Sequence, residues 1–580
     1  MRVLVIAGLF GFAAFAQQAH EDPILKAMGD EMVRSRALQL VDRPYYIQYQ
    51  VEDIESFSAA ATMGALLNAS RNKFRVPLIE VRVGDYTFDN TNHIYSSFYN
   101  GARYDPSQWP IDDRYNVLRR YLWLATDRAY KTAIDAFSRK RASLGNTAAG
   151  AEQIPDFAHA EPVRILQPIL KLTLDDATWT KRVVALSAVF RAYPEVIDSS
   201  IELSVGQGTS YFITSEGSVQ RTPDQLSEIR VRASAQTADG MMLHNTLVFP
   251  AENVQSLPAE DEMSRGVRQV ADELRALAKA PVADEYSGPV LFEPAAAAQL
   301  FAQTLGDNVR ATRRPVSDPG RAAPYLPSEF ESKIGSRVLP DWMDVVDDAT
   351  QTDWRGHKLM GHYDVDMEGV PPKPVAVIEK GILKSFLLSR QPVKGFAASN
   401  GHARLMGNFA VHSAAIGNLF INASQTKPLP DLRKQMIDLC NQRGKPYGIV
   451  IRKLDYPSSI SIQEFQALAT GSMQAGGGSR PMSPPVLAYR VYADGHEELV
   501  RGLRFRGFSS RLLRDITAAS DDSYVFNFVN NGLPFALLGA GGYVAPSTVV
   551  APAVLFDEIE LERPQEERSK PPVVPSPSID

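Results

Sequence analysis

The sequence predicts an α+β protein with two domains, each built around a curved, mostly antiparallel sheet with flanking helices. Its 580 residues exceed what a single hydrophobic core usually organises. Strand-like alternation of apolar residues occurs in both halves of the chain, and amphipathic helical patterns lie between these strands. A segment containing Pro and Gly at residues 280–289 separates the halves. We therefore expect an N-terminal α/β domain at 17–285 and a C-terminal β-rich domain at 286–562.

The first residues have the pattern of a secretory signal peptide. Met1-Arg2 is followed by an apolar run that ends in Ala14-Phe15-Ala16, ahead of two glutamines. A positive start, a short apolar run and an Ala-x-Ala site predict a signal peptide at 1–16 and export to the periplasm or the extracellular space. The alternatives are a buried N-terminal helix or a short membrane anchor. The run is too short to span a bilayer, and no membrane span is expected elsewhere in the chain.

The N-terminal domain is predicted to mix helices and strands. Helical spacing of apolar residues covers 23–40, 114–143 and 260–280. Alternation predicts strands at 45–51 and 77–83, and a β-rich passage over 200–249. Within this passage, Thr214-Ser-Glu-Gly217 predicts a turn and Asp239-Gly240 a hairpin.

The C-terminal domain is predicted to begin with a strand that turns into a helix. Pro289-Val-Leu-Phe-Glu-Pro294 leads into four alanines, and Pro294 suits a helix start because its missing N–H costs little there. A β-hairpin with a tight Lys380-Gly381 turn is expected further on, because Val375 and Val377 alternate before it and Ile382 follows. The tail at 563–580 is rich in Pro, Ser and charge and has little to bury, which predicts disorder.

Composition excludes some classes of function. The net charge is −6, so the chain has no basic field for a phosphate backbone, and nucleic-acid binding is disfavoured. Cys440 is the only cysteine, and no internal disulfide can form. It lies on the apolar side of a predicted helix, where a buried small hydrophobic residue is a better interpretation than a reactive thiol.

Four ordered segments carry a resemblance to a known family. They are Val345-Val-Asp-Asp348, Asp366 to Pro371, Ile378 to Lys384, and Gly401 to Arg404. In this order and spacing they resemble the C-terminal domain of the TldD/PmbA family, also called modulators of DNA gyrase. The resemblance implies a TldD/PmbA-like fold, and a relation to zinc metallopeptidases and to non-catalytic relatives that pair with a catalytic subunit.

The zinc motif of this family is degenerate in the chain. The resemblance implies a His-Glu-x-x-x-His helix at the start of the C-terminal domain and a distant cysteine ligand. Matching Gly306 to the family glycine puts Ala302 and Asp307 at the histidines and Gln303 at the glutamate. Alanine cannot bind a metal, and an amide cannot act as a general base. The region expected to hold the cysteine offers only Asp521 and Asp522. No catalytic residue and no metal ligand are therefore expected, and no cofactor.

A second pair of histidines has the family spacing but the wrong context. His357 and His362 are separated by Lys-Leu-Met-Gly, so a lysine stands where the general base would be. Alternation places this segment on a strand, where positions five apart point to opposite faces. We interpret the pair as a chance match, although a zinc site there is the alternative.

The acidic turn and the loop that follows it supply candidate peptide-binding residues. These candidates are Asp366, Glu368, Gly369, His402 and Arg404. Asp366 and Glu368 are also suited to holding the backbone of a turn in which Gly369 adopts a conformation that other residues resist. For His402 and Arg404, the alternative is that they cap a neighbouring strand.

Three hypotheses about function follow. The first is an exported TldD/PmbA-family homologue without zinc catalysis, which binds a peptide or serves as a scaffold subunit for a catalytic TldD-like partner, or forms a homodimer. The second is an active metallopeptidase that holds zinc through substitute ligands, drawn from Asp307, His357, His362, His402, His412, Asp521 or Asp522. The third is a secreted structural or binding protein unconnected with proteolysis.

Overall fold

The computed structural model describes residues 22–94, 109–144, 154–317, 327–406, 412–455, 482–530 and 545–563, with a few isolated positions in the tail. The predicted signal peptide lies outside these ranges, and so does nearly all of the tail. Within the described residues, no helix has both the length and the apolar character needed to cross a bilayer. Over the same ranges the protein is α+β with mostly antiparallel sheets, which confirms the predicted fold class.

The described residues of the N-terminal part form four long helices and a six-stranded sheet. The helices are α1 (Pro23–Ser35), α2 (Tyr115–Leu144), α3 (Asp176–Ala188) and α4 (Glu260–Lys279). The strands are β1 (Pro44–Thr62), β2 (Ala65–Val83), β3 (His93–Ile94), β4 (Arg164–Leu166), β5 (Val196–Thr214), β6 (Val219–Gln236) and β7 (Met242–Ala251).

The six-stranded sheet has the order β2-β1-β5-β6-β4, and β7 also pairs with β6. All of its pairs are antiparallel except β4 with β6. The predicted turns at Ser-Glu-Gly217 and Asp239-Gly240 connect β5 to β6 and β6 to β7. The first two strands are much longer than the strands predicted from alternation. On β2 the prediction missed residues 65–73, because they are exposed along their whole length and show no buried face.

The C-terminal part is built on an eleven-stranded sheet with two helices. The helices are α5 (Pro294–Thr304) and α6 (Leu429–Gln442). The strands are β8 (Tyr286–Phe292), β9 (Val316–Ser317), β10 (Met343–Asp347), β11 (Asp353–Trp354), β12 (His357–Lys358), β13 (Val375–Glu379), β14 (Ile382–Leu383), β15 (Ala403–Met406), β16 (His412–Ala414), β17 (Asn418–Ala423), β18 (Tyr447–Leu454), β19 (Pro485–Tyr492), β20 (Glu497–Val500), β21 (Arg504–Phe505), β22 (Ile516–Asn530) and β23 (Ala545–Glu562).

This sheet has the order β14-β13-β10-β17-β23-β8-β18-β19-β20, and β21 and β22 also pair with β23. β8 leads into α5 with Pro294 at the first helical position, as predicted. The predicted hairpin is β13–β14, where Lys380 and Gly381 both have positive φ. Cys440 is buried on α6, also as predicted.

The large C-terminal core forms where α5 packs against the centre of the sheet. On α5, Ala296, Ala297, Ala298, Leu300 and Phe301 are all fully buried. They belong to one hydrophobic cluster with residues of β8, β10, β17 and β23. The helix at which the family resemblance implies zinc is therefore a packed core element.

Candidate functional site

The degenerate zinc positions lie at the C-terminal end of α5, where each residue has a structural contact. Ala302 is buried in the core with 5% of its surface exposed. Gln303 donates to the Gln299 carbonyl at 3.3 Å and accepts from the Ser483 N–H at 3.0 Å. Asp307 accepts from the Arg310 guanidinium at 2.6 Å. An amide side chain thus binds the backbone at the position that the resemblance implies for the general base.

The backbone at the end of α5 leaves no room for a side chain at Gly306. A Cβ at this position would lie 2.2 Å from the carbonyl oxygen of Ala302. Real Cβ atoms do not approach an oxygen so closely, and the helix end would have to move to accept a side chain. Gly306 is therefore needed for the backbone conformation at the end of α5, whether or not this helix end binds a metal.

The donor set does not fit a zinc ion at α5. A zinc peptidase needs three protein ligands and a base beside the bound water. Of Ala302, Gln303 and Asp307, only the last carries a group that commonly binds zinc, and it already pairs with Arg310. Over the described ranges, no three His, Cys, Asp or Glu side chains come together in a way that could hold a metal ion.

The other candidate ligands lie on strands and turns of the C-terminal part. His357 is exposed on β12, but this strand ends at Lys358, so the prediction that the segment up to His362 forms a strand is correct only for its first two residues. His362 follows a turn after that strand, and its Nδ1 lies 2.9 Å from the Ala349 carbonyl oxygen. Asp521 and Asp522 are exposed residues of β22.

Asp366 organises the acidic turn, residues 366–369, by accepting three backbone N–H groups. Its Oδ1 accepts from Glu368 and Val370, both at 2.9 Å, and its Oδ2 accepts from Ala403 at 3.0 Å. Gly369 has a φ of +79°, in the region that favours glycine. Burial, followed by the negative charge of Glu368, raises the pKa of Asp366 to about 7. The sequence-based expectation that these residues hold the backbone of a turn is confirmed for Asp366 and Gly369.

Glu368 links the acidic turn to a histidine and to a buried backbone amide. Its Oε1 lies 3.3 Å from Nδ1 of His412, and its Oε2 accepts from the Arg390 N–H. Burial opposes ionisation of both partners. Their mutual hydrogen bond and opposite charges outweigh it, so the pKa of Glu368 is lowered and the pKa of His412 is raised. The two side chains therefore form a buried ion pair.

His402 and Arg404 make internal contacts that resemble the strand-capping alternative. His402 is fully buried, and its Nε2 lies 3.1 Å from Oδ1 of Asp347. Arg404 donates to the Ile416 and Pro546 carbonyls, both at 2.6 Å. Both guanidinium arms thus bind carbonyl groups of the chain itself. A peptide-binding role for either residue stays a prediction.

The acidic turn packs on the six-stranded sheet of the N-terminal part. A Cβ on Gly369 would meet the Phe212 ring at 2.8 Å and Nε2 of Gln220 at 3.0 Å. Phe212 and Gln220 are paired neighbours on β5 and β6, and Phe212 also pairs with Gln50 on β1. The face of this sheet that meets the acidic turn therefore includes amide side chains.

Arg390 of the C-terminal part forms hydrogen bonds with the N-terminal part near the acidic turn. Its Nη2 donates to Oε1 of Glu216 at 2.6 Å, and its Nε donates to the Ala158 carbonyl at 2.9 Å. Its guanidinium lies 4.0 Å from the centre of the Phe157 ring. The Tyr86 hydroxyl donates to the same Glu216 oxygen at 2.6 Å. Glu216 belongs to the Ser-Glu-Gly turn, for which the sequence indicated only a turn.

Sequence reasoning did not find Arg390, Glu216 or Glu52. Arg390 and Glu216 are 174 positions apart, so no local pattern connects them. Glu52 offered a weak signal, because Gln48, Gln50 and Glu52 alternate with Ile47, Tyr49 and Val51. Polar residues at every second position normally indicate a face that water covers. Here all three polar residues are buried.

Replacement of Asp366 by asparagine should lower the free energy of unfolding by about 2 kcal/mol at pH 4, because the penalty for ionising a carboxyl group whose folded pKa is raised to about 7 is nearly absent at that pH. The loss should shrink as the pH rises toward 7, since ionisation then destabilises the wild type alone. An amide has one acceptor oxygen, so its NH₂ group would face at least one of the three backbone N–H groups. Chemical denaturation would measure the change. Asp364→Asn is the matched control, since Asp364 is exposed two residues earlier and should shift stability by less than about 0.5 kcal/mol. Equal effects in the two variants would contradict the turn-holding role.

Comparisons with known sequences identify a family model and a relative that match this chain. A family model described as the PmbA/TldA metallopeptidase C-terminal domain matches residues 285–563. A metalloprotease of Methanocaldococcus jannaschii is 40% identical over 81 residues, which are 14% of this chain and 16% of that protein. The chain thus aligns with only a small part of that curated relative.

Solved structures share the fold over most of their length. TldE from Thermococcus kodakarensis is 12% identical, with a TM-score of 0.56 over 92% of this chain and 100% of that chain. A modulator of DNA gyrase from Thermotoga maritima is 15% identical, with a TM-score of 0.54 over 89% of this chain and 96% of that chain. Another, from Bacteroides thetaiotaomicron, is 10% identical, with a TM-score of 0.51 over 93% and 98%. With this fold and this C-terminal domain, the chain belongs to the TldD/PmbA family.

Proposed function

We propose that this chain is an exported TldD/PmbA-family protein without zinc catalysis of its own, which binds peptide or serves as a scaffold subunit for a catalytic family partner in proteolysis. The observation that supports this proposal is the use of the zinc positions on α5 for structure. Ala302 is buried in the core, Gln303 binds two backbone groups and Asp307 pairs with Arg310.

The contact between the two parts of the chain also supports a binding or scaffold role. The acidic turn is held by backbone hydrogen bonds and by the Glu368–His412 pair, and Arg390 joins it to the N-terminal sheet. These contacts fix the surfaces on either side of the junction without using a metal. A preformed junction of this kind can position a peptide or a partner without performing chemistry.

A co-expression experiment tests this function. The full gene is expressed alone, or together with an exported homologue that keeps an intact His-Glu-x-x-x-His helix, and the exported fraction is assayed on an unfolded protein substrate. We expect the mature chain to begin at Gln17 by mass spectrometry. It should show no activity alone, and it should co-purify with the homologue and increase peptide hydrolysis that a chelator abolishes.

The matched control for this experiment is the partner with its motif glutamate replaced by glutamine. That complex should still form but should be inactive, which would place the chemistry in the partner. Chelator-sensitive hydrolysis by this chain alone would overturn the proposal in favour of an active metallopeptidase with substitute ligands. Retention of the chain in the cytoplasm with an intact Met1 would overturn the export part.

A further inference from the structure

Glu52 is a buried carboxyl group with one oxygen that lacks a hydrogen-bond partner. It lies on β1 and is 6% exposed. Its Oε1 accepts from Nε2 of Gln50 at 2.8 Å and from Oγ of Ser210 at 2.7 Å. Its Oε2 is buried and has no partner among the described residues. Buried polar atoms in native proteins are nearly always hydrogen-bonded, so this oxygen is a candidate acceptor for a ligand's hydrogen bond.

Gln50 presents a second unpartnered acceptor beside Glu52. It is 4% exposed and gives its NH₂ group to Glu52, while its own Oε1 is buried without a partner among the residues the structure describes. Both side chains project from the same face of β1, since they are two positions apart on one strand. The free atoms of Gln50 and Glu52 are both oxygens, whereas the free atoms of Gln48 and Gln220 on this face are Nε2 donors. A ligand that satisfied the two oxygens would have to supply hydrogen-bond donors.

A second carboxyl group, that of Asp224, lies near Glu52. Asp224, an exposed residue of β6, adds a negative charge that is felt at Glu52. Asp224 on β6 is paired with Gly208 on β5, and Gly208 is paired with Ile54 on β1. Gly208 has no side chain that would separate Asp224 from β1. Among the described residues, neither Glu52 nor Asp224 forms a salt bridge.

Three other carboxylates of this region have a cationic partner, whereas Asp366 is held by backbone N–H groups. Glu216 pairs with Arg390, Glu368 with His412, and Glu80 lies 2.7 Å from the guanidinium of Arg82. The residues that pair with Glu52 across the sheet are Val76 on β2 and Ser210 on β5. Neither carries a charge, so the cation missing at Glu52 is not supplied by the adjacent strands.

We propose that Glu52, Gln50 and Asp224 form a subsite for an organic cation, namely an alkylammonium or guanidinium group such as the side chain of a basic residue. Such a group donates several hydrogen bonds, and its positive charge stabilises the ionised form of Glu52. A metal ion suits the site less well, because no three metal-binding side chains of the described residues converge on one point. The proposed function enters at one point, namely that the cationic group belongs to a peptide.

The protonation of Glu52 adds a measurable signature. Burial, followed by the charge of Asp224, raises the pKa of Glu52 to about 8, so the empty site holds a proton at neutral pH. A bound cation favours the carboxylate and would lower this pKa. Binding at pH 7 should therefore release a proton, and affinity should rise as the pH increases from 6 to 8.

Calorimetric titration of the full chain tests the subsite. The probe is N-acetyl-arginine amide, and the neutral isostere N-acetyl-citrulline amide is its control. We expect the arginine compound to bind at least tenfold more tightly, with a heat that depends on the ionisation enthalpy of the buffer because a proton is released. Glu52→Gln should weaken binding at least tenfold, and Asp224→Asn, which keeps the size of the side chain, should weaken it as well.

Glu55→Gln is the matched control variant. Glu55 lies on β1 three positions further on and pairs with Arg71 at 2.6 Å, so its loss should leave binding unchanged. Equal binding of the two compounds, no binding of either, or unchanged binding in both Glu52→Gln and Asp224→Asn would overturn the subsite. A Zn²⁺ or Ca²⁺ titration that depends on Glu52 would replace it with a metal site. Peptidase activity of the chain alone would refute the proposed function and leave this result unaffected.

Discussion

Replacement of Arg390 by methionine is expected to lower the free energy of unfolding by about 3–5 kcal/mol. The guanidinium is 1% exposed and its partner Glu216 is 6% exposed. Methionine would keep part of the apolar packing against Phe157 but would leave a buried carboxylate to which, among the described residues, only the Tyr86 hydroxyl donates a hydrogen bond. A buried charge without its counterion costs much more than the pair itself contributes. Equilibrium denaturation would measure the loss.

A double-mutant cycle separates the ion pair from simple packing. Adding Glu216→Gln to Arg390→Met should recover part of the lost stability, because the unpaired charge is then removed. Arg506→Met is the exposed control. Arg506 has 64% of its side chain exposed and lies 3.8 Å from Glu560, so this change should cost less than about 1 kcal/mol. A loss below about 1 kcal/mol in Arg390→Met would contradict the role assigned to the pair.

Replacement of Glu52 by glutamine is expected to stabilise the protein above pH 8, by about 5 kcal/mol. The folded protein holds the Glu52 proton up to a pKa of about 8, from a reference value of 4.5. The unfolded chain releases the same proton near the reference value. The folded state therefore binds more protons between these two pH values, and its stability falls as the pH rises through that window. Glutamine cannot ionise, and its oxygen can still accept from Gln50 and Ser210.

The pH profile distinguishes this effect from a change in packing. Wild type and Glu52→Gln should have similar stability at pH 4, and the difference should grow between pH 5 and 8 and then level off. Denaturation at several pH values in one buffer series would measure it. Glu55→Gln should show no such growth. A difference that is constant from pH 4 to pH 9 would show that Glu52 does not carry a raised pKa.

Much of the fold could be predicted because the signals are local. Pro294 and the four alanines that follow indicated the start of α5, and the Lys380-Gly381 turn indicated the β13–β14 hairpin. The acidic turn was also predictable, since Asp and Gly at fixed offsets favour a turn held by side-chain hydrogen bonds to the backbone. In each case the residues that determine the structure are neighbours in the sequence.

The polar contact between the two parts of the chain was not predictable from these signals. Burial of Gln48, Gln50 and Glu52 depends on what covers their face of the sheet, which the alternation of β1 does not specify. The extent of β2 was also missed, because residues 65–73 are exposed on both faces and show no apolar period. At α5, the sequence showed which metal-binding groups are absent, but only the structure shows that Gln303 binds the Ser483 N–H.

The zinc content of the mature protein tests the central claim most directly. The protein should be purified without a chelator and without a histidine tag, supplemented with zinc, passed over a desalting column and measured by atomic emission. The structure of the α5 terminus predicts less than about 0.1 zinc per chain, because four-coordinate zinc needs ligands that Ala302, Gln303 and Asp307 do not supply. About one zinc per chain would contradict the account and make the active metallopeptidase with substitute ligands the leading interpretation.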